Sequence, residues 1–349
     1  MDNIFKYATS ELSNDAFLCW LFSISKDGNS NKNPIEYRVS QGYLNEFCKY
    51  KGKIIVNNDE KDIVRQEGKI DVLIKGKYDN GEEFILTIEN KTSSEEHSNQ
   101  LKRYKNYINK KYKRIKINNR HFIYYKNAFQ GNIDKITKEG YSVFQIKEIF
   151  DLLNKYEAGK SKNDILKNYY DFIKEKKEEF FIFEKTNIDK WENKAFQGFF
   201  YYLLHKILEK YKNMTHYGFG YHDNPSGGHL SLWVGNDKVK KNKKGEKIGF
   251  HLNLETANKK GGKKWFCRLI IRANGRKKGL KWNKSDIEQY IESIKTIGED
   301  TRHQPGKYII LAKLFHEDNK SKIGYKELEE KVMFGLEQFI EWQKKEGFK

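Results

Sequence analysis

Two carboxylates and a lysine lie close together in this sequence, where two short apolar alternations follow one another. Asp71 falls within the first alternation, Ile70–Ile74. Glu89 and Lys91 follow the second, Phe84–Ile88. Charged groups in such a setting are costly unless they are paired or bind a cation. Carboxylate ligands without His or Cys suit a hard ion, Mg²⁺ or Mn²⁺, so the spacing indicates metal-assisted attack on a phosphodiester.

The two alternations are predicted to form a β-hairpin. The residues between them include Asp-Asn-Gly at 79–81, which is a strong turn signal. Because side chains in a strand alternate between faces, Asp71 points away from its apolar neighbours. The same parity puts Glu89 and Lys91 together on the opposite face of the second strand. We therefore expect the three charged groups to converge on one side of the hairpin.

The order of these residues resembles a known family signature. Asp71, followed by Glu89, Asn90 and Lys91 at the end of the next strand, is similar to the D…(D/E)-x-K core of the PD-(D/E)XK nuclease superfamily. Where the name-giving proline of that family stands, this sequence has Ile70, a substitution that the superfamily often tolerates. The resemblance covers the N-terminal half only. It implies an α/β fold with a three-layer core around a central mixed sheet.

Two flanking segments extend the resemblance towards the RecB-like branch. Gln100 and Tyr104 match the Q-x-x-x-Y element of its next helix, and Glu11 matches the first acidic position of its opening helix. Ser13 is expected to cap that opening helix. Without the resemblance, Glu11 fits equally well as a carboxylate that complements a helix N-terminus. Gln100 would hydrogen-bond the lysine side of the site or a phosphate.

The resemblance implies a role for each residue of the core. Asp71 and Glu89 would ligate Mg²⁺ or Mn²⁺ directly, together with the main-chain carbonyl of Asn90. Lys91 would orient the attacking water and offset the charge that grows on the phosphorane. Glu11 would act through water or a second metal. The implied activity is hydrolysis of DNA rather than RNA, leaving a 5′-phosphate, in defence against foreign DNA or in DNA processing.

Two alternatives stay open at this point. A protein with the same fold could bind nucleic acid without cutting it, although retention of both carboxylates and the lysine argues against that. A lysine-rich interaction protein could carry the D…ExK pattern by chance. In that last case the three side chains would lie far apart in the structure.

The composition favours a polyanionic partner. The 349 residues carry a formal net charge of +19, and each phosphate that a protein neutralises releases counterions. A lysine-rich genomic bias would give a similar composition. The three cysteines lack C-x-x-C spacing, so neither a disulfide framework nor a zinc site is predicted and a reducing cytoplasm is expected. The sequence contains no signal-like segment and no apolar run of about 18 residues, so neither secretion nor a membrane partner is predicted.

Two basic stretches are candidate nucleic-acid contacts. Residues 102–120 hold nine cations and no acid, interleaved with tyrosines, and residues 272–284 hold six cations and no acid, with one tryptophan. Such residues can bind a phosphate backbone and stack bases. Solvated helix faces and lysine-rich surface loops are the alternative in both places. The residues predicted to bind nucleic acid are Lys102, Arg103, Tyr104, Lys105, Arg272, Arg276, Lys277 and Lys278.

Residues 216–229 form a glycine-rich stretch with three histidines. Their spacing matches no common zinc pattern. No G-K-[ST] follows, so the stretch is no phosphate loop either. We predict a structured loop near a ligand groove.

The chain is long enough for two domains. Residues 1–157 are predicted to form the nuclease-like domain, and residues 158–185 a charged helical connector. Residues 186–349 are predicted to form an α+β domain that recognises nucleic acid or another target. The sequence leaves a homodimer open. The strands predicted for the antiparallel meander of this domain are His229–Val234, Ile248–Leu254 and Trp265–Ala273, and a further strand is predicted at Tyr308–Leu314.

Overall fold

The chain forms two compact units, Met1–Glu178 and Glu179–Lys349. The computed structural model describes residues 3–8, 10–26, 34–92, 99–222, 228–241, 245–258, 265–274, 281–301, 303, 308–318 and 321–348. The first unit extends beyond residue 157, where the sequence predicts its end. The reason is packing, since Tyr169 stacks on Phe17 with ring centroids 3.5 Å apart.

The N-terminal unit is built around a six-stranded mixed sheet. Its order is β1-β3-β4-β5-β6, with β2 paired to β3. Strand β4 runs antiparallel to β3 and parallel to β5. This arrangement confirms the predicted α/β class with a central mixed sheet. The elements are α1 (Glu11–Ser23), α2 (Pro34–Cys48), β1 (Ile54–Val56), β2 (Ile63–Glu67), β3 (Ile70–Tyr78), β4 (Glu83–Lys91), α3 (Gln100–Lys111), β5 (Arg120–Lys126), α4 (Asp134–Lys138), β6 (Ser142–Phe144), α5 (Ile146–Lys155) and α6 (Asp164–Phe181).

Helices cover both faces of this sheet, so its central strands are apolar on both sides. Leu73 and Ile85 share a buried cluster with Leu101 and Ile108 of α3. Asn90 has the opposite parity to Ile85 on β4 and bonds to residues of α1. Sheets buried on both faces lose the simple polar-apolar alternation. The charged end of β4 is therefore enclosed between two helical layers.

The predicted hairpin is present and brings the charged residues together. Val72 of β3 pairs with Ile88 of β4. The turn closes with a hydrogen bond of 2.9 Å from the Tyr78 amide to the Glu82 carbonyl. Gly81 adopts a φ of +83°, which L side chains rarely reach. The Asp-Asn-Gly signal therefore determined the turn.

Ser10, and not Ser13, caps helix α1. The hydroxyl of Ser10 accepts a hydrogen bond of 3.2 Å from the Ser13 amide. The prediction placed the cap inside the helix, because the apolar pattern alone does not show where the first turn begins. Glu11 is consequently the first residue of α1, directly after the cap.

The C-terminal unit is an antiparallel sheet with helices packed on it, which confirms the predicted α+β class and its meander. The order is β11-β12-β10-β9-β8-β7. Helix α7 packs against β7 and β8, and α9 packs against β9 and β10. No helix in the described ranges is long and apolar enough to cross a membrane. The elements are α7 (Asn193–Lys210), β7 (His216–His222), β8 (His229–Lys241), β9 (Lys247–Asn258), β10 (Trp265–Asn274), α8 (Lys284–Ile294), β11 (Glu299–Asp300), β12 (Ile310–Asp318) and α9 (Tyr325–Lys345).

The first part of the glycine-rich stretch, His216–His222, is a strand where the sequence predicts a loop, and residues 223–227 lie outside the described residues. Strand β7 pairs with β8 from His216 to His222. Glycines at positions 218 and 220 occupy one face of the strand. They remove the side-chain alternation on which strand prediction depends. Tertiary pairing with β8 therefore decided this segment.

Candidate active site

Asp71 and Glu89 approach one another across the hairpin. Val72 pairs with Ile88, and Asp71 and Glu89 stand one residue further along each strand, where their carboxyl groups interact directly. Directly opposed residues of an antiparallel pair point to the same face. Lys91 lies two residues beyond Glu89 and shares that face. The three predicted core residues therefore lie together.

Glu89 is the most deeply placed member of this group. Its relative exposure is 0 %. Burial, followed by repulsion from Asp71, raises the pKa of its carboxyl to about 8. Its Oε1 lies 2.6 Å from Nζ of Lys91, and its carboxyl also shares a side-chain hydrogen bond with Asp71. Two carboxyl groups in direct contact at this depth indicate that a cation belongs beside them.

Lys91 links Glu89 to Glu11. Its Nζ lies 2.6 Å from Oε1 of Glu89 and 3.8 Å from Oε2 of Glu11. Burial alone lowers the pKa of Lys91, but attraction to Glu89 more than offsets it, so the net pKa is raised. Oε1 of Glu11 also accepts a hydrogen bond of 3.2 Å from the Thr92 amide. Glu11 therefore borders the site from the start of α1, as predicted.

Asp71 is oriented by two hydrogen bonds. Its Oδ2 accepts from the Asn90 amide at 2.9 Å, and its Oδ1 accepts from the Gln66 side chain at 3.2 Å. Burial raises the pKa of Asp71 despite these bonds. Ionised oxygens have about four acceptor sites, so Asp71 keeps lone pairs for another ligand.

The side chain of Asn90 is fixed by Glu11 and by two residues that sequence analysis did not single out, Asn14 and Asp15. Its Nδ2 donates to Oδ1 of Asp15 at 2.8 Å and to the Glu11 carbonyl at 2.9 Å. Its Oδ1 accepts from Nδ2 of Asn14 at 2.6 Å. Burial, followed by Asp71, raises the pKa of Asp15 to about 6. The spacing of Glu11, Asn14 and Asp15 on one face of an otherwise apolar helix is the signal that could have identified them.

The comparisons with known proteins agree with this geometry. Residues 2–151 match the sequence model of a family described as the PD-(D/E)XK nuclease superfamily. The N-terminal unit is therefore similar to the PD-(D/E)XK nuclease superfamily, and we call it the PD-(D/E)XK unit. The chain has no significant match among curated proteins or solved structures. The superfamily match implies nuclease activity, and hence a nucleic-acid substrate.

Gln100 and Tyr104 of the PD-(D/E)XK unit bond to one another on α3. Nε2 of Gln100 donates to the Tyr104 hydroxyl at 2.7 Å. Tyr104 is 5 % exposed, and burial raises the pKa of its hydroxyl, with smaller effects from Glu89 and Asp71. Its ring therefore has no open face for base stacking, and the pair lies beside the carboxylates instead. A catalytic role for Gln100 stays a prediction.

The basic residues predicted on α3 differ in their availability. Lys102 and Arg103 are exposed, as contact with a phosphate backbone requires. Nζ of Lys105 instead donates to the Glu139 carbonyl at 2.8 Å and lies 5.8 Å from the centroid of the Phe122 ring. Among these three cations, Lys102 and Arg103 are therefore the better candidates.

Of the four residues of the C-terminal unit that are predicted to bind nucleic acid, the structure describes Arg272. Arg272 lies inside β10, mostly buried, and its guanidinium pairs with Glu255. It therefore belongs to the sheet and not to an exposed loop. Arg276, Lys277 and Lys278 lie outside the described residues. Their role stays a prediction.

The carboxylates of the PD-(D/E)XK unit are the candidate ligands of a divalent cation. Within the described ranges, no group of three or more His, Cys, Asp or Glu side chains could hold a metal ion. Two carboxylates, Asp71 and Glu89, do meet, and the ammonium of Lys91 lies beside Glu89. Mg²⁺ is often bound by one or two carboxylates and completes its coordination with water and phosphate. The residues present therefore fit such an ion.

Proposed function

We propose that the protein is a Mg²⁺- or Mn²⁺-dependent nuclease that hydrolyses DNA. The observation that carries the proposal is the buried Glu89 carboxylate, which lies next to Asp71 and pairs with Lys91. Two carboxyl groups in direct contact at this depth disfavour each other's charged form, so a site that holds them both is costly unless a cation binds beside them. The match to a nuclease superfamily supports the same reaction.

Asp71, Glu89 and the main-chain carbonyl of Asn90 would hold the cation. When bound, it would lower the pKa of a coordinated water and neutralise charge on the phosphodiester. The chain prepares these ligands before any ion arrives. Asn90 connects two parts of the site. Its main-chain amide donates to Asp71, and its side chain donates to the Glu11 carbonyl of α1. The carboxylates thus start from one defined arrangement, which limits the entropic cost of reaching the transition state.

Lys91 would act on the reacting groups. Its ammonium is held between Glu89 and Glu11, and its raised pKa keeps it protonated. A protonated lysine can donate to an attacking water and can stabilise negative charge that develops on the phosphorane. Glu11 positions this lysine and is half-buried, so it also remains available to water or a second ion.

A DNA substrate is supported by the strongly basic chain, with a net charge of +19, and by the exposed Lys102 and Arg103. A role in defence against foreign DNA or in DNA processing would suit such an enzyme. The second candidate is a binding protein that does not cut. The meeting of Asp71, Glu89 and Lys91 in one place disfavours it.

The test is a digestion panel with wild-type protein and Lys91→Ala. Plasmid, single-stranded DNA and RNA are incubated with Mg²⁺, Mn²⁺ or EDTA. We expect cleavage of the DNA substrates with the metals alone, and a loss of about 10²- to 10³-fold or more in Lys91→Ala. Retained DNA and metal binding in that variant would assign the loss to chemistry.

The matched control is Lys155→Ala, which removes the same charge from α5. Lys155 lies on the surface, where it pairs with Glu46, and its loss should leave cleavage unchanged. Full activity in Lys91→Ala would refute the assignment of Lys91. Absence of cleavage by the wild type on every substrate would favour the binding protein.

A further inference from the structure

The sheet of the C-terminal unit has one apolar face and one polar face. On the apolar face, Leu232 pairs with Leu254, which pairs with Leu269. The opposite face has three transverse rows, as the strand register shows. We call the side chains of these rows the polar face. The rows are His216-Gly235-His251-Arg272, Gly218-Trp233-Asn253-Ile270 and Gly220-Ser231-Glu255-Arg268.

Several polar atoms of this face are buried and unsatisfied. Ser231, Asn253 and His251 are 0 %, 3 % and 4 % exposed. Among the described residues, Oγ of Ser231, Oδ1 of Asn253 and Nδ1 of His251 have no hydrogen-bond partner, and neither has Nε of Arg272. Native proteins rarely leave buried polar groups unpaired, and a cluster of them indicates an absent ligand.

The charged centre of the polar face is already compensated. Glu255 is 1 % exposed, and its Oε2 accepts from Nε and Nη2 of Arg268 at 3.2 and 3.0 Å. Its Oε1 pairs with Arg272 and lies 3.5 Å from Nε2 of His229. The carboxylate of Glu255 thus pairs with both guanidinium groups. The face is therefore prepared for hydrogen bonding more than for binding a bare anion.

Aromatic rings and glycines surround this centre. A Cβ built on Gly220 would meet only Trp233, at 3.9 Å, within the described part of the chain. The Trp233 ring lies 5.5 Å from that of His222. Tyr308 is 43 % exposed, and its ring lies 6.0 Å from that of His251. A flat ligand could thus stack on an exposed ring, and its edge would reach the buried polar atoms once the groups that cover them move aside.

We propose that the polar face binds a nucleobase. A base combines a flat ring, which stacks on aromatic side chains, with an edge of hydrogen-bond donors and acceptors. The face supplies both the rings and the unpaired polar atoms, Ser231, Asn253, His251 and Arg272. The base comes from a nucleic-acid strand or from a free nucleotide. The inference rests on the proposed function only in taking nucleic acid as the partner class.

The test measures equilibrium binding by the full-length protein in EDTA, where no cleavage can interfere. The probes are the four deoxynucleoside 5′-monophosphates, deoxyribose 5-phosphate, a labelled single-stranded oligonucleotide, and the same oligonucleotide with all bases removed. We expect each base-free probe to bind at least about tenfold more weakly than its counterpart. Tighter binding of the oligonucleotide than of any nucleotide assigns the base to a strand, and the reverse assigns it to free nucleotides.

The variants Ser231→Ala and Asn253→Ala should each weaken base-dependent binding about tenfold. The matched controls are Ser293→Ala and Asn236→Ala, which make the same changes where the side chains bond to Trp342 and Gln343. These should bind like the wild type. Equal binding of the probes with and without bases overturns the proposal, and this comparison uses the wild type alone, so it does not depend on the folding of any variant.

The result is separable from the nuclease proposal. Base binding is measured without metal and should be unchanged in Lys91→Ala. Cleavage by the wild type without base-dependent binding would therefore reject the inference and leave the nuclease intact. Base-dependent binding without cleavage would reject the nuclease proposal and leave the base-binding inference intact.

Discussion

Each of the two units buries a carboxylate on a β-sheet, but the charged groups around the two carboxylates differ. Glu89 has one ammonium and a second carboxylate, Asp71, beside it, and burial, followed by repulsion from Asp71, raises its pKa to about 8. Glu255 has two guanidinium groups, from Arg268 and Arg272. The first carboxylate is thus short of positive charge, whereas the second is paired with two cations. The same sheet architecture can therefore prepare a site for a cation or for a neutral hydrogen-bonding ligand, depending on the charges around one carboxylate.

This contrast predicts that removing each carboxylate changes stability with opposite sign. Glu255→Ala should lower the free energy of unfolding by about 3 to 5 kcal/mol, because the mostly buried guanidinium of Arg272 would lose the carboxylate with which it pairs. Urea denaturation monitored by tryptophan fluorescence measures the change. Glu337→Ala is the control, since it breaks an exposed ion pair with Lys210 that is worth at most about 1 kcal/mol. Equal losses in the two variants would remove the contrast.

Glu89→Gln should have the reverse effect on stability. The substitution keeps the shape of the side chain and removes its repulsion from Asp71, so we expect the metal-free protein to gain about 1 kcal/mol. Cleavage and metal binding should both be lost, as digestion and calorimetry would detect. Glu67→Gln is the control, because its carboxylate accepts hydrogen bonds from Tyr112 and Lys111 and its loss should destabilise. A destabilised Glu89→Gln would show that Glu89 is structurally satisfied.

A smaller effect concerns His121, which packs beside the hairpin in the first unit. Burial lowers its pKa to about 4, and its Nε2 lies 2.7 Å from the Tyr78 hydroxyl. The folded state therefore binds fewer protons than the unfolded state, whose histidine titrates near 6.5. The contribution of neutral His121 to the free energy of unfolding is therefore fully present above pH 6.5 and is lost as the pH falls from 6.5 towards 4.

The variant His121→Gln should show this difference directly. Between pH 7 and pH 5 its free energy of unfolding should fall by about 1 to 2 kcal/mol less than that of the wild type. Urea titrations at both pH values supply the comparison. His205→Gln is the control, because His205 is exposed on α7 and should leave the pH dependence unchanged. An identical pH dependence in His121→Gln would mean that this histidine is not held neutral.

The sequence was sufficient for the hairpin site because the interactions are local. Asp71, Glu89 and Lys91 lie on two consecutive strands, and a period of two together with an Asp-Asn-Gly turn determines which side chains share a face. It was also sufficient for the two fold classes, which follow from the order of apolar segments. The sequence predicted the ends of the helices and strands less accurately. Ser10 instead of Ser13 caps α1, since the apolar pattern does not mark the first turn.

Only the tertiary structure decided what surrounds these residues. Asn14 and Asp15 contact Asn90 from helix α1, which lies far from Asn90 in the sequence. The Tyr104 ring is buried and is therefore not available to stack on a base. The polar face assembles side chains from strands spread between His216 and Arg272. Its unsatisfied polar atoms come from three strands: Ser231 is on β8, His251 and Asn253 are on β9, and Arg272 is on β10. Pairing register, which depends on the burial of the opposite apolar face, brings them together.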